Sequence, residues 1–559
     1  MTYVDDFPGE ARVVRTALAI AFASIGLGGA LGVLQALYRT GYDRSLFSAV
    51  DYYSILTAHG VLMALVFTTF FIVGLFAWGV TRSLDTGLRD LRFTWGWLGL
   101  MTLGTVLAFV SVLGGIVGWI PTHAAVLYTF YAPLEASPTF YLGLALLIVG
   151  SWGAGVDYVL ALRDWRADNP DERIPLQTFM AVATMLLWFV CTLGVAVEVV
   201  VFLLPWSLGL IPRVDPLLTR TLFWYFGHAV VYFWLLPAYF VWYTIFPKLS
   251  GGRLFSDPLA RVVFVLFLVL STPVGVHHQY GDPGLSQGLK FVQMTSTYFI
   301  LLPSLLTAFT VVASMEHGAR QRGGEGRFGW LRALPWEKPS FSGIALAGLA
   351  FAASGFGGMV NAGLNVNALV HNTMWVPGHF HLTVGTAVAL TFMAITYWLL
   401  PQLSGKRLRL RTLAAVQPYL WFVGMVFMSN AMHRIGLAGV PRRTSEPQYE
   451  QVLFNTPIAT MGELHLQTVG GALLLFVSLL CFLAVVVSTW LGDRGAEPIA
   501  VSGHIPEALS GPEHSPRILD DFRVWVALTF LLLLIAYGPP LAAMVQNGLF
   551  APGSAPIPA

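Results

Sequence analysis

Two histidines, His379 and His381, lie two residues apart inside a long apolar segment of this chain. On an α-helix, positions i and i+2 differ by about 200°, so the two imidazoles point to opposite sides of one helix. Imidazoles are costly inside a membrane and occur there mostly for function. The spacing therefore predicts a helix that supplies one nitrogen ligand to each of two metal centres.

Four further histidines lie in or at the ends of other apolar segments, namely His59, His228, His277 and His278. Imidazoles without cysteine or carboxylate partners favour haem iron or a copper ion that only histidines hold. Six imidazoles divide into two ligands on opposite faces of a low-spin haem, one ligand of a five-coordinate haem, and three ligands of a copper ion. Since His379 and His381 point in opposite directions, we expect them to belong to different haems.

The local sequence around these ligands indicates how they are positioned. The adjacent pair His277–His278 can reach one ion only from an irregular helix end, and Pro273 and Gly275 supply that irregularity. Tyr232 lies four residues after His228, on the same helical face. A tyrosine beside a metal ligand can supply a proton and an electron, and dioxygen reduction needs both.

The composition predicts that the elements carrying these residues cross a membrane. Of the 559 residues, 56% are hydrophobic and 11% are charged, and the mean hydropathy is +0.69. Soluble proteins contain about 25% charged residues, so we predict a polytopic membrane protein. The net charge of +2 and the lack of a basic run give no indication of nucleic-acid binding. The two cysteines, Cys191 and Cys481, cannot form a thiolate cluster, so a cysteine-ligated electron-entry site must lie on another subunit.

Thirteen apolar runs are long enough to cross a bilayer, and no soluble domain separates from them. We predict one all-α transmembrane catalytic domain over residues 1–559, beginning with an uncleaved tail. The predicted spans are 13–37, 55–80, 93–119, 139–163, 176–206, 217–247, 261–278, 288–314, 341–361, 369–401, 413–437, 461–490 and 522–548.

The loop charges predict the orientation. Of the 31 Lys and Arg residues, 23 lie in loops on one side of the predicted spans and 8 lie on the other. The positive-inside rule then places the N-terminus in the cytoplasm and, with an odd number of spans, the C-terminus outside. All six histidines fall in the outer part of the membrane at similar depth. This agreement favours one shared metal constellation over six independent core histidines.

Three segments resemble subunit I of the haem–copper oxygen reductases. They are GHAVVY at 227–232, the pair His277–His278, and HNTMWVPGHFH at 371–381. The resemblance extends over nearly the whole chain and is greatest to the B family, the ba-type cytochrome c oxidases. It implies the subunit I fold, with about 13 transmembrane helices, in the cytoplasmic membrane of a prokaryote.

The resemblance implies a role for each of the six histidines and for Tyr232. The implied cofactors are low-spin haem b on His59 and His381, a high-spin haem, expected to be a-type, on His379, and copper B on His228, His277 and His278. Tyr232 is implied to be covalently linked to His228. One departure is Ala229, where the family usually has proline; it removes no ligand, and we expect it to be tolerated.

The resemblance also implies partners: subunit II with dinuclear copper A, a c-type cytochrome as electron donor, dioxygen, and membrane lipid. We therefore predict the catalytic subunit of a proton-pumping terminal oxidase that reduces dioxygen to water. The nearest alternative is a nitric oxide reductase of the same superfamily, which typically lacks the tyrosine found here at Tyr232. A secondary transporter would need paired repeats or discontinuous spans and would leave six histidines unexplained.

A proton route is expected along the helix that carries His228. The A family has a glutamate two residues after this histidine, but Val230 stands there in this chain and cannot carry a proton. Tyr232, Tyr239 and Tyr243 form a stripe of hydroxyls that leads inward from the metal. Further positions that match the family's single K-type path are Ser304, Thr307 and Ser256.

Besides the metal ligands, the resemblance implies a set of polar residues near the haem propionates, on the outer side of the membrane. Haem propionates need cationic partners, and the family uses the pair Arg442 and Arg443 for them. His371 is expected near the propionates. Asn367 stands where the most similar family members have aspartate. We hypothesise that this amide alters the stoichiometry or the pH dependence of proton pumping.

The sequence leaves several points open. Asp157 and Glu198 are acids within predicted spans, and no role follows for either from the pattern. The histidine ligands are the same for a-, b- and o-type haems, so the haem variants are not determined. The donor cytochrome, the pumping stoichiometry and the accessory subunits are not determined either.

Overall fold

The computed structural model describes residues 2–39, 41, 45, 47–282, 284–445, 461–493 and 505–546. Within them the chain is a helical bundle without strands. Its thirteen main helices are α1 (Pro8–Arg39), α2 (Ala49–Leu84), α3 (Leu91–Ile116), α4 (Pro138–Asp168), α5 (Leu176–Ser207), α6 (Pro216–Ser250), α7 (Asp257–Leu270), α8 (Gln287–Gln321), α9 (Pro339–Ala362), α10 (Trp375–Ser404), α11 (Arg411–Leu437), α12 (Gly462–Leu491) and α13 (Phe522–Gln546).

Twelve of these helices, as described, are long and apolar enough to cross a bilayer. The exception is α7, because its regular helix ends at Leu270 after 14 residues. The chain then continues into a 3₁₀ turn, Val276–Gln279. The predicted span 261–278 is therefore not one continuous helix. Pro273 is the physical reason, since proline lacks an N–H group and its ring clashes with the preceding helical turn.

The segment 257–282 nevertheless returns from one end of the bundle to the other. Near its start, a Cβ at Gly252 would lie 2.6 Å from the Cα of Gly318, close to the end of α8. Near its finish, the Lys290 Nζ at the start of α8 donates to the carbonyl of Asp282 at 2.8 Å. A short helix and an irregular segment thus make this crossing together.

Glycines bring several helix pairs into backbone contact. A Cβ at Gly104 of α3 would lie 2.5 Å from the carbonyl oxygen of Gly143 and from the backbone nitrogen of Leu147 on α4. Gly424 of α11 and Gly471 of α12 meet in the same way. Because lipid tails are as apolar as the helices, such close packing replaces the hydrophobic effect as the force that joins them.

Buried ion pairs tie the bundle together at the end where α7 begins. The Arg261 guanidinium contacts Asp257 at 2.5 Å and Asp520 at 2.8 Å, and it also donates to the carbonyl of Ile174. Arg173 reaches Asp520 at 3.0 Å. These contacts connect α7 with the segments that lead into α5 and α13, and each charge is paired, as burial requires.

Three π-helical segments interrupt the long helices: Val61–Phe67, Glu198–Leu203 and His381–Val388. The first begins two residues after His59, and the third begins at His381 itself. Such insertions are rare and are often found at functional sites, because they change which side chains face inward.

We expect Gly104→Ala to destabilise the protein by about 1–3 kcal/mol, because the added methyl group would meet backbone atoms of α4. Gly99→Ala on the same helix is the matched control, since a Cβ at Gly99 meets nothing within 4 Å. Thermal unfolding of the detergent-solubilised complex would measure the difference. Equal unfolding temperatures for the two variants would contradict the packing described for α3 and α4.

Candidate metal centres

His228 on α6 lies beside His277 and His278 on the 3₁₀ turn. Their candidate ligand nitrogens are all within 4.8 Å of one another. The ring centroids are 4.4 Å apart for His228 and His277, and 4.3 Å apart for His277 and His278. The Nε2 of His228 is buried and has no hydrogen-bond partner among the described residues. A buried nitrogen without a partner is unfavourable, and a copper ion with three imidazole ligands would satisfy it.

Close contacts with neighbouring helices position this turn. A Cβ at Gly275 would lie 2.5 Å from the Tyr537 hydroxyl and 2.7 Å from the Trp224 carbonyl, so only glycine permits the approach. The Trp224 ring stacks on His278, with centroids 4.0 Å apart and planes 5° apart. The sequence reasoning missed Trp224, although its position four residues before His228 on the same helix could have indicated it.

Tyr232 follows His228 by one helical turn and lies beside it. The two ring centroids are 5.1 Å apart, with an angle of 70° between the planes. Tyr232 also packs against Phe267 of α7 at 5.4 Å. The arrangement brings a phenol to the edge of the three-histidine cluster. The expected covalent link between Tyr232 and His228 stays a prediction.

His59 and His381 form a second pair, on α2 and α10. Their ring centroids are 6.4 Å apart and their planes differ by 19°. The two Nδ1 atoms lie 2.7 Å from the Gly28 carbonyl and 2.8 Å from the Pro377 carbonyl, which leaves each Nε2 free. Two imidazoles that bind one ion from opposite sides, with bonds of about 2 Å, have ring centres roughly 6 Å apart. The pair therefore fits one iron ion between the rings.

His379 faces the opposite side of α10. Its ring lies against α9, where a Cβ at Gly357 would be 2.7 Å from the His379 Nδ1 and a Cβ at Gly358 would be 3.6 Å from its Cε1. His381 instead faces His59 on α2. The two histidines of α10 thus contact different helices, in agreement with the angle calculated from their spacing.

A single cavity of about 1300 Å³ includes all six histidines in its lining. Apolar side chains form most of the rest of that lining. Sites for one small molecule usually measure about 300–1,000 Å³, so this cavity has room for more than one prosthetic group. Its size, its apolar lining and its paired imidazoles fit haem.

Arg442 and Arg443 line the same cavity, and Arg442 is buried while Arg443 is partly buried. Arg442 donates to the Asn372 side-chain oxygen at 3.0 Å, and Arg443 donates to the Tyr128 hydroxyl at 3.0 Å. Among the described residues, neither guanidinium forms an ion pair with a carboxylate. Burial, together with Arg443, lowers the pKa of Arg442 to about 10. Two adjacent cations that line an apolar cavity, with no carboxylate partner among the described residues, fit the propionates of haem. Sequence reasoning missed Tyr128 and Asn372, because both are far from the arginines along the chain, and the position of Asn372 beside His371 does not indicate a contact with Arg442.

His371 also lines the cavity, and Asn367 orients it. The His371 Nδ1 is 2.9 Å from the Asn367 Oδ1, while the Asn367 Nδ2 donates to the Asn361 carbonyl. The amide oxygen therefore accepts a hydrogen bond from the N–H at Nδ1 of the imidazole. Burial and the cations Arg442 and Arg220 lower the pKa of His371 to about 4, so its imidazole is neutral at pH 7.

The structure connects only part of the expected proton route. The Tyr243 hydroxyl donates to Thr307 at 2.8 Å. The Tyr239 hydroxyl is buried and makes no direct hydrogen bond among the described residues, although Ser304 and Thr307 lie nearby. Ser256 lies apart from this group, at the N-terminal cap of α7, where its hydroxyl accepts from the backbone N–H three residues on.

The two acids that lie within membrane-spanning helices have different surroundings. Asp157 accepts hydrogen bonds from Thr94 at 2.7 Å and from the indole of Trp97 at 3.1 Å, and so joins α4 to α3. Glu198 is fully buried, and neither carboxyl oxygen has a partner among the described residues. Neither acid is among the residues that line the large cavity.

The sequence and the fold are similar to known proteins over nearly the whole chain. The family described as "Cytochrome C and Quinol oxidase polypeptide I" matches residues 12–474. The chain belongs to this family. It is 42% identical to cytochrome c oxidase subunit 1 of Thermus thermophilus, over 96% of this chain and 95% of that protein. It is 26% identical to cytochrome c oxidase polypeptide 1 of Halobacterium salinarum, over 84% of this chain and 76% of that protein.

A solved structure is similar as well. It is titled "Cryo-EM structure of a heme-copper terminal oxidase dimer provides insights into its catalytic mechanism", and it matches with a TM-score of 0.88 and 37% identity. The match covers 95% of this chain and 92% of that one. These similarities confirm the predicted fold, the B-family resemblance and the assignment as subunit I of a terminal oxidase, an oxidoreductase with many membrane spans. Membership of this family implies haem, copper B, dioxygen and a complex with subunit II.

We expect Asn367→Asp to raise the pKa of His371, because a carboxylate stabilises the imidazolium where the amide does not. Asn367→Leu, which adds no charge, is the control and should not raise it. Infrared titration of the complex with isotope-labelled histidine would measure this pKa. The hypothesis on pumping would fail if Asn367→Asp left both proton ejection and the pH profile of oxygen consumption unchanged.

Proposed function

We propose that this chain is the catalytic subunit of a proton-pumping cytochrome c oxidase that reduces dioxygen to water. The observation that carries the proposal is the convergence of three histidine arrangements on one cavity. These are the cluster of three, the pair with parallel rings, and the single imidazole against α9. They match, in number and type of ligand, one copper, one six-coordinate haem and one five-coordinate haem.

The proposal assigns each group to the residues that would hold it. The assignments are low-spin haem b to His59 and His381, a high-spin haem of a-type to His379, and copper B to His228, His277 and His278. When bound, these groups supply electron transfer and the binding and reduction of dioxygen. The chain contributes the orientation of the ligands, because the carbonyls of Gly28 and Pro377 accept hydrogen bonds from the Nδ1–H groups of the paired imidazoles.

Helix α10 keeps the two haem sites close together. His379 and His381 are separated only by Phe380, whose ring lies 4.9 Å from that of His381 and 6.2 Å from that of Tyr128. One rigid helical turn therefore sets the distance between the two ligands. The proposed electron route runs from the His381 site to the His379 site.

Proton delivery in this proposal follows α6 and α8. Tyr232 donates a proton at the three-histidine cluster, and Tyr243 with Thr307 forms the next described link. Tyr239 lies between them without a direct hydrogen bond, so water molecules must complete the chain there. Ser304 would bind such water, since its hydroxyl lines the cavity. Ser256 is proposed at the inner end, although its hydroxyl caps α7.

The proposed topology places the cavity end that carries Arg442 and Arg443 on the outer side of a prokaryotic cytoplasmic membrane. The N-terminus is then cytoplasmic, as the loop charges predict. The two arginines and His371 would hold the haem propionates. Electrons would come from a c-type cytochrome through dinuclear copper A on subunit II, because the cysteines of this chain lie too deep in separate helices to form such a site.

Metal analysis of the purified complex tests the copper assignment. We expect copper together with haem iron in the wild type, and loss of copper with both haem absorption bands retained in His277→Ala, since only the three-histidine cluster loses a ligand. Pyridine haemochrome spectra would identify the haem variants. A non-haem iron in place of copper would instead indicate a nitric oxide reductase, and a preparation without haem bands would refute any oxidase.

A pair of threonine variants tests the proton route. Thr307→Val removes the hydroxyl that accepts from Tyr243, and we expect oxygen consumption to slow by roughly tenfold or more, a loss of about 1.4 kcal/mol or greater. Thr310→Val on the same helix is the control, because its buried hydroxyl donates only to the carbonyl of Leu306. Steady-state oxygen consumption with reduced cytochrome c is the measurement. Similar rates in the two variants would count against a route through Thr307.

A further inference from the structure

Gln293 of α8 binds the backbone immediately before the two adjacent histidines. Its side-chain oxygen accepts from the N–H of Gly275 at 3.1 Å and from the N–H of Val276 at 3.4 Å. Its side-chain nitrogen donates to the carbonyl of Pro273 at 3.0 Å. The residue is 2% exposed, so these hydrogen bonds form in a buried environment.

The hydrogen bonds from Gln293 take the place of the backbone hydrogen bonds that are missing between Leu270 and Val276. Helix α7 ends at Leu270, and the 3₁₀ turn begins only at Val276. Between them the chain has no regular hydrogen-bonding pattern, yet it is buried, and buried backbone groups require partners. One glutamine, with an acceptor and a donor on the same amide, satisfies groups on both sides of Val274.

Two other residues of α8 contact the same segment. Lys290, one turn before Gln293, donates to the carbonyls of Tyr280 and Asp282 at 2.8 Å. Thr297, one turn after Gln293, has its hydroxyl 3.4 Å from the His277 Nδ1. Positions three and four apart share one helical face. A single face of α8 therefore contacts the histidine turn before, at and after the ligands.

We propose that Gln293 is a positioning residue for copper, because its side-chain amide holds the turn in which His277 and His278 face His228. This inference rests on the proposed copper site. Of the three contacts from α8, the one made by Gln293 restrains the backbone next to the ligands. Groups that orient metal ligands in this way typically contribute tenfold or more to metal affinity.

The test compares Gln293→Met with Gln287→Met in the purified whole complex. Methionine preserves the length of the side chain but forms none of the three hydrogen bonds, and Gln287 is an exposed glutamine on the same helix. Copper retention is measured by competition with a copper chelator. The infrared stretching band of carbon monoxide bound to copper reports the ligand geometry. Haem absorption bands report whether the rest of the site is intact.

We expect Gln293→Met to retain copper about 10–100-fold less tightly and to shift the carbon monoxide band, with unchanged haem bands. Gln293→Glu, which keeps the acceptor for the Gly275 and Val276 N–H groups but loses the donor to the Pro273 carbonyl, should restore only part of the affinity, and Gln287→Met should behave as the wild type. Wild-type copper retention with an unshifted band in Gln293→Met would overturn the proposal. Loss of haem together with copper would also overturn it, because Gln293 would then support the fold in general.

The outcome in the wild type separates this inference from the proposed function. If the wild type binds no copper, the proposed copper site is wrong, and the positioning role of Gln293 falls with it. If the wild type binds copper and Gln293→Met binds it equally well, only the positioning role is wrong.

Discussion

The structure depends on one constraint: a nitrogen atom buried in an apolar bundle needs a partner. His59 and His381 meet it on one side of each ring, through the carbonyls of Gly28 and Pro377. All three of His59, His381 and His228 line the same cavity. The Nε2 of His228 has no hydrogen-bond partner among the described residues. The bundle thus contains polar groups that bound metals would satisfy, and its helices are arranged around them.

Departures from regular helix allow this arrangement. The α7 helix stops early, so that His277–His278 can approach α6, and Gly275 allows the backbone to lie against Trp224. The π segments at Val61–Phe67 and His381–Val388 lie at the two helices that carry the paired imidazoles. At the break after α7, the freed backbone groups are satisfied by a side chain of a neighbouring helix, Gln293 of α8. Ligand geometry and helix packing are therefore linked.

Sequence reasoning was most successful where one residue type in an apolar setting has few alternative explanations. The spacing of His379 and His381 on α10 predicts that the two imidazoles point in opposite directions, as observed. Pro273, just after the end of α7, predicts the irregular turn that follows. It was less successful for partners that come from elsewhere in the chain. Tyr128, which contacts Arg443, is a common aromatic residue in a loop, and nothing in its local sequence distinguishes it. Ser256 caps α7, and its place on the expected proton route stays a prediction.

The sequence by itself determined the class of the protein, most of the helices and the set of candidate ligands, because hydropathy and residue type are local properties. Only the tertiary structure decided which nitrogens face one another, which polar groups lack partners, and which side chain holds the histidine turn. Those features depend on distances between helices, and such distances follow from the packing of residues as remote as Gly28 and His59. The contacts of Gln293 belong to this second group, since its amide meets backbone groups about 20 residues away.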